Sequence, residues 1–256
     1  MQHITYHVSN RVARITLNRP EKRNALNAAL VSELITAFEQ ARQDEQVKVI
    51  VLAATGEAFC AGADLAYLQH LRQFTFAENL EDSLRLKNLF VSMYTLTKAI
   101  VAQVQGPALA GGCGLVTVCD FAVSATTAKF GYTEVKIGFV PAIVTPFLIK
   151  KIGEGKARNL LLSGNIISAQ EAVQLGLISH VTEPEKLEEE TMKLVTQLVS
   201  SNSGESLALT KTLLHRLSPT LDSDLQLAAE TNARARSTAD CRRGIAAFLN
   251  KEKLMW

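Results

Sequence analysis

The chain has 256 residues, 47% of them hydrophobic and 20% charged, with 27 basic against 25 acidic side chains. A chain of this length buries roughly 70–75% of its unfolded surface, so its core needs no staples. The net charge of +2 argues against a general nucleic-acid surface, which concentrates a basic excess. Cys60, Cys113, Cys119 and Cys241 form no CxxC pair and sit among apolar or small residues, which reads as buried, reduced thiols in a cytosolic protein.

The opening MQHITYHVSNRVARITL shows no cationic segment followed by a long apolar stretch, so no secretory signal is expected. Apolar runs such as residues 49–54 fall far short of the ~20 residues a membrane span needs. The expectation is a cytoplasmic protein with no membrane association. Residues 4–8 and 12–17 alternate around a turn signal at Ser9 and Asn10, which predicts a hairpin. After NRPEKRN, Leu30, Leu34, Phe38 and Ala41 recur at helical spacing over residues 27–42, with Asn27 as a candidate cap. Residues 47–53 read as a buried strand. A glycine-rich loop over 56–62 then leads into a helical region that extends to about Lys98, broken near 74–76.

The pattern repeats with a strand at 100–104, a small-residue loop at 106–114, a short helix at 115–119 and a strand at 121–124. Strand, glycine loop and helix in succession suggest stacked ββα turns with function in the loops. From about Leu177 the strand signals fade, and 183–200, 206–216, 221–236 and 240–251 read as helices. The SSNSG stretch at 200–204 has linker composition and is the expected boundary between a core of residues 1–200 and a helical region of residues 201–256.

Three stretches carry candidate chemistry. In FCAGADL, residues 59–65, a helix opening at Ala63 would leave free N–H groups facing the preceding loop, suited to an anionic oxygen; a tight turn needs the same glycine. GPALAGGCG, residues 106–114, lacks the GK[ST] ending of a phosphate loop and the GxGxxG spacing of a dinucleotide fingerprint. Its Gly111–Gly112 pair lets a ligand approach the backbone, although close packing of the loop on a strand would need glycines too. Together the two loops could present two N–H donors to one carbonyl oxygen. In AKFGYTEVKIGFVP, Glu134 stands in an apolar, glycine-punctuated stretch, where burial would raise its pKa toward the working pH of a proton shuttle. A solvated glutamate on a short helix is the plain alternative.

The ordered run NRPEKRNALN, FCAGADL, ALAGGCGL ahead of CD, and AKFGYTEVKIGFVPA, with GIAAFLNKEK near the end, resembles the enoyl-CoA hydratase/isomerase (crotonase) family over nearly the whole chain. The resemblance implies an α/β fold, a spiral of ββα units with a C-terminal helical region used in trimers that commonly pair into hexamers. It implies an oxyanion hole from the N–H groups of Ala63 and Gly111, with Glu134 as acid/base. Coenzyme A contacts carry over to Lys22, Arg23, Ala25, Ala61, Asp64 and Leu65, and Phe248 and Lys251 are expected near the nucleotide of a neighbouring subunit's coenzyme A. The partner implied is a small-molecule acyl-CoA, with no cofactor beyond its coenzyme A moiety and neither metal nor nucleic acid.

Two departures from the family pattern stand out. Hydratases of the family usually carry a first glutamate where this chain has Gly114, so Glu134 is left alone. AIVT follows Pro141 where many hydratases have glycines, so a bulkier pocket wall is expected. The single glutamate resembles Δ3,Δ2-enoyl-CoA isomerases, whereas the surrounding wording looks more like methylglutaconyl-CoA hydratase-like members. The readings in play are therefore a hydratase/dehydratase of a short, branched or acidic enoyl-CoA, an isomerase, and a catalytically weak binding protein of the same fold. Tyr67 and His70 could line an acyl pocket, and Lys136 could tune Glu134 or face solvent. His3, His7, His180 and His215 show no metal-ligand spacing, and no Ser-His-Asp order appears.

Overall fold

The first hairpin sets the pattern of the whole chain. In the computed structural model, which describes residues 1–252, 254 and 256, β1 (Ile4–Ser9) and β2 (Val12–Leu17) pair antiparallel. Their turn places Asn10 and Arg11 at φ 49° and 64°, the left-handed geometry of two-residue hairpin turns. A 3-10 turn (Pro20–Lys22) follows, then α1 (Ala28–Gln43). Asn27 caps α1 by accepting from the Leu30 N–H at 2.9 Å. The helix buries Leu30, Leu34, Ala37, Phe38 and Ala41, and each large side chain among them contributes ~1.5–3 kcal/mol of burial.

β3 (Val49–Ala54) is buried almost throughout, as a strand covered on both faces demands. It lies parallel to β2 on one side and to β4 (Ala99–Val104) on the other. Between them run α2 (Leu65–Leu71) and α3 (Phe76–Tyr94), the latter opened by a Thr75/Glu78 capping box. That box supplies the expected helical break near 74–76. β5 (Ala108–Leu109), α4 (Gly111–Val118), β6 (Phe121–Ala125) and β7 (Lys129–Gly131) follow. A second 3-10 turn (Glu134–Ile137) leads to α5 (Thr145–Ile152), α6 (Glu154–Ser163), β8 (Ile166–Ser168), α7 (Ala169–Leu175) and β9 (His180–Thr182). A third 3-10 turn (Pro184–Lys186) precedes α8 (Leu187–Ser201), α9 (Gly204–Arg216), α10 (Leu221–Arg236) and α11 (Ala239–Leu249).

The strands make a six-stranded sheet in the order β1-β2-β3-β4-β6-β9 and a three-stranded sheet β5-β7-β8. All pairs in the larger sheet are parallel except β1 with β2. Strand, loop and helix succeed one another in the ββα sense the sequence suggests. Beyond residues 200–204, α10 sends Leu221, Leu225, Ala228 and Ala229 into the same core that holds Ile15, Phe38 and Leu52. Leu187, Val195 and Leu198 of α8 cover the other face of the main sheet, against Val49, Val51 and Val101.

The structure corrects three local expectations. The strand signals do not end near Leu177, because β9 joins the main sheet beyond it; at three residues it is too short for an alternation to register. The helix after the second glycine loop starts at Gly111 and not at residue 115. Glycine is a poor helix former, and here seven of the eight helical residues are buried, so packing overrides propensity. The helix expected to open at Ala63 opens at Leu65, with Asp64 as its cap.

One buried clasp fixes the loops at the carboxyl ends of β2 and β3. Arg19 and Asp64 are 8% and 7% exposed and form an ion pair at 3.0 Å. Arg19 also donates from Nη1 to the Ala25 carbonyl at 2.7 Å. Beside it the fully buried Asn24 accepts from the Arg19 N–H and donates to the carbonyls of Thr55 and Ala58. Removing one partner leaves an uncompensated buried charge, which costs ~3–5 kcal/mol. Arg19→Ala is expected to lose that much in urea denaturation, and a loss below ~1 kcal/mol would show that the pair is not shielded from water.

Candidate active site

The loops leaving β2, β3 and β4 are stitched edge to edge by backbone hydrogen bonds. The Leu26 N–H donates to the Gly62 carbonyl at 2.7 Å, and the Asp64 N–H donates back to the Leu26 carbonyl at 2.8 Å. The Cys60 N–H donates to Pro107 at 3.1 Å, and the Leu109 N–H to Cys60 at 2.9 Å. These bridges bring Ala63 and Gly111 to the wall of one cavity, lined also by Glu134. The main-chain N–H groups of Ala63 and Gly111 donate no hydrogen bond among the described residues. Open α/β sheets characteristically bind ligands at the carboxyl ends of their strands.

The backbone beside these amides is held in unusual conformations. Ala110, the residue before α4, has φ 49° and ψ −125°, and its N–H donates to the Gly131 carbonyl at 2.7 Å. A non-glycine residue there stores strain of order 1–3 kcal/mol, which the surrounding structure must over-determine. Gly62 sits at φ 94°, and a Cβ on it would meet the Ala110 Cβ at 3.0 Å. Of the glycine pair, Gly112 packs onto Cys60, whose carbonyl would lie 2.3 Å from an added Cβ. For Gly112 the plain packing reading is therefore the right one, and the open amide belongs to Gly111.

Glu134 starts the second 3-10 turn. The residue as a whole is only partly buried, but its Oε2 is shielded from solvent and has no hydrogen-bond partner among the described residues. Loss of hydration pushes the carboxyl pKa up to about 7. The turn that holds it rests directly on α11. A Cβ on Gly244 would lie 2.2 Å from the Ile137 carbonyl, and one on Gly138 (φ 68°) would lie 2.5 Å from the Asp240 carbonyl. The two backbones touch where side chains would keep them apart.

The missing first glutamate has a physical counterpart. A Cβ at Gly114 would meet the Phe90 ring at 2.7 Å and Val144 at 3.6 Å. Phe90 therefore occupies the space a carboxylate side chain would need. Ala142, Ile143 and Val144 line the cavity, giving the bulky wall expected from AIVT.

The other site candidates fall into two groups. Ala61, Tyr67 and Phe248 line the cavity, so Phe248 borders this chain's own cavity, whereas the sequence pointed it at a neighbour's ligand. Lys22, Arg23, Ala25, Asp64, Leu65 and Lys251 do not line it. Lys22, Arg23 and Leu65 are exposed on the framing loops, with the Arg23 carbonyl accepting from the Ala61 N–H at 3.0 Å. The Asp64 carboxylate is engaged inside the protein, by Arg19 and by the Ala66 and Tyr67 N–H groups. His70 and Lys136 are exposed and do not line the cavity. Sequence reasoning missed Asp82, Phe90, Asn232 and Arg236, which all line it. They sit on regular helices, and no local motif marks them.

A model of the enoyl-CoA hydratase/isomerase family matches residues 7–256. The chain belongs to the enoyl-CoA hydratase/isomerase family. A Thermus thermophilus relative, whose enoyl-CoA hydratase name is provisional, is 44% identical over 241 residues, covering 94% of this chain and 95% of its own. A crotonyl-CoA hydratase of Syntrophomonas wolfei is 31% identical over 98% of this chain and 96% of its own. The crystal structure of an enoyl-CoA hydratase from Mycobacterium avium superposes with a TM-score of 0.87 at 34% identity, covering 99% and 98% of the two chains. The α/β crotonase fold and the enzyme class expected from the sequence both hold. No described helix is long and apolar enough to cross a membrane.

The Phe90 contact generates a stability test. Gly114→Ala overpacks a site that is already full and is expected to cost ~1–3 kcal/mol. Adding Phe90→Leu should recover part of that loss, as read from the denaturation midpoints of the single and double variants.

Proposed function

We propose that this enzyme adds water reversibly across the double bond of an enoyl-CoA thioester, with Glu134 as its single acid/base. The observation that carries this reading is one shielded, unpartnered carboxyl facing a cavity that also presents two free main-chain N–H groups. Hydratase names among full-length relatives support it.

In this mechanism the thioester carbonyl oxygen accepts hydrogen bonds from the N–H groups of Ala63 and Gly111. Ionised Glu134 takes a proton from water as the hydroxyl forms its bond to the β carbon. The electron pair of the double bond moves to the carbonyl oxygen, and the enolate is held by the two amides. Preorganised donors of this kind are each worth ~10²–10³ in rate, and the orientation of α4 adds favourable potential at Gly111. Glu134 then returns the proton to the α carbon, so one water is consumed and the glutamate is regenerated. A pKa of about 7 keeps both protonation states populated at neutral pH, as such a shuttle requires.

The coenzyme A moiety fits the framing loops around Lys22, Arg23, Ala25, Ala61, Asp64 and Leu65. The exposed Lys22 and Arg23 side chains suit its phosphates, and Asp64 acts there by capping the turn. Within this reading, a branched acyl group of the methylglutaconyl type is the finer assignment. A second reading, Δ3,Δ2-isomerisation, is favoured by Gly114: with Phe90 in that space, one carboxyl is all that moving a proton between carbons would need.

Glu134→Gln should lower kcat ~10²–10⁴-fold while coenzyme A affinity measured by calorimetry hardly changes. The pH profile of kcat/KM should rise through about 7 and then level, because the ionised base is lost below that value. Mass spectrometry of crotonyl-CoA and 3-enoyl-CoA reactions distinguishes the two readings by product. Activity of Glu134→Gln within a few-fold of the parent would overturn both.

We further propose a trimer, or a pair of trimers, built on the C-terminal helices. α9 buries none of its residues, and Leu209, Leu213 and Leu217 form an i, i+4, i+8 stripe that is 71%, 57% and 69% exposed. Such a stripe finds its partner in another subunit. Light scattering should give a trimer or hexamer mass, shifting toward monomer in Leu209→Glu/Leu213→Glu; a parent monomer at micromolar concentration would refute this.

A further inference from the structure

The cavity that holds Glu134 has a second polar wall, built from α2, α3 and α10 and playing no part in the chemistry described so far. Tyr67, Asp82, Asn232 and Arg236 line it together. The Arg236 side chain is 6% exposed and pairs with Asp82 at 2.6 Å. Its Nη1 also donates to Asn79 Oδ1 at 3.4 Å, and its guanidinium lies 5.3 Å from the centre of the Phe139 ring. The other Asp82 oxygen accepts from the Tyr67 hydroxyl. Asn232 is occupied on both sides, accepting from Ser83 at 3.0 Å and donating to the Val140 carbonyl at 3.2 Å.

One polar group in this wall is left over. Arg236 Nε is buried and has no hydrogen-bond partner among the described residues. Each Asp82 oxygen already accepts a hydrogen bond, so the group left over in this wall is a donor. A saturated hydrocarbon chain packed here would leave that donor unsatisfied away from water, which is unfavourable. Arg85 lines the same cavity, with its guanidinium paired to Glu81 at 2.6 Å. Arginine's planar fork is well suited to carboxylate recognition.

We propose that Arg236 is a specificity-determining residue, whose free Nε–H selects acyl-CoA thioesters carrying a carboxylate at the far end of the acyl group. This rests on the acyl-CoA reading above and narrows its substrate class. Asp82 and Tyr67 act as positioning residues that hold the guanidinium in place, and the Phe139 ring lies beneath it. Phe139 in turn donates its N–H to the Glu134 carbonyl at 3.0 Å, so the selecting and reacting groups belong to one connected wall.

The test compares matched pairs of the same chain length on the unmodified enzyme. The pairs are 2-pentenoyl-CoA with glutaconyl-CoA and 2-hexenoyl-CoA with 2,3-dehydroadipyl-CoA, assayed for kcat/KM. Hexanoyl-CoA and adipyl-CoA are titrated calorimetrically, which does not depend on turnover. A preference of tenfold or more for the carboxylate member at one chain length, in rate and in Kd, is expected. Arg236→Gln/Asp82→Asn, which removes both charges and so avoids stranding a buried ion, should bring the ratio toward one. Equal handling of both members, or preference for the alkyl member at both lengths, overturns the inference. So does a ratio that survives the double substitution. Absence of turnover with every thioester, while adipyl-CoA still binds more tightly than hexanoyl-CoA, instead overturns the hydratase reading and upholds the selectivity.

Discussion

Arg19 and Asp64 leave water together, and the loops of the site depend on their doing so. The pair joins the segment after β2 to the segment after β3, and Asn24, which accepts from the Arg19 N–H, fastens the same two segments through two further hydrogen bonds. Ala63 lies immediately before Asp64, so the position of its N–H is set by where that carboxylate is anchored. The bridge between Cys60 and the 107–109 stretch then carries the register on to Ala110 and Gly111. A buried ion pair is weak evidence for stability; here its effect is geometric, fixing three loops that have little secondary structure of their own.

The electrostatics of the cavity follow from that frame. Glu134 sits where apolar residues exclude water, and no described residue hydrogen-bonds its Oε2. A carboxyl so placed retains its proton to higher pH than an exposed one. The apolar shell comes from Phe90, Ile143 and Val144 on α3 and the stretch before α5, and Phe90 also fills the space beside Gly114. The same ring thus fills the room beside Gly114 and lines the cavity that Glu134 borders.

Much of this was legible in the sequence, for reasons that differ between parts. The hairpin follows from alternation, α1 and α10 from helical spacing, and β3 and β4 from short apolar runs. Ala63, Gly111 and Glu134 fall in short motifs where glycine and apolar neighbours mark unusual backbone or burial, and all three line one cavity. The clasp was not legible, since Arg19 and Asn24 lie in a loop whose charges look solvated. Asp82 and Arg236 were hidden for another reason. Each occupies an ordinary helical position, and only the packing of α10 on α3 brings together residues so distant in the chain. Gly111 at the head of α4 misled because glycine usually breaks helices, while burial of the seven residues that follow it holds this helix.

The contact between Gly138 and α11 has a consequence for biosynthesis. Chains are made from the amino terminus, and domains fold as their segments become available. The turn bearing Glu134 is made well before the backbone it rests on, from Asp240 to Gly244. Until α11 docks, the turn around Ile137 and Gly138 lacks the backbone it packs against in the folded chain. A nascent chain can therefore form its sheet and close its loops before that side of the turn is supported, and the acid/base turn reaches its final packing only after residues 240–244 have been made.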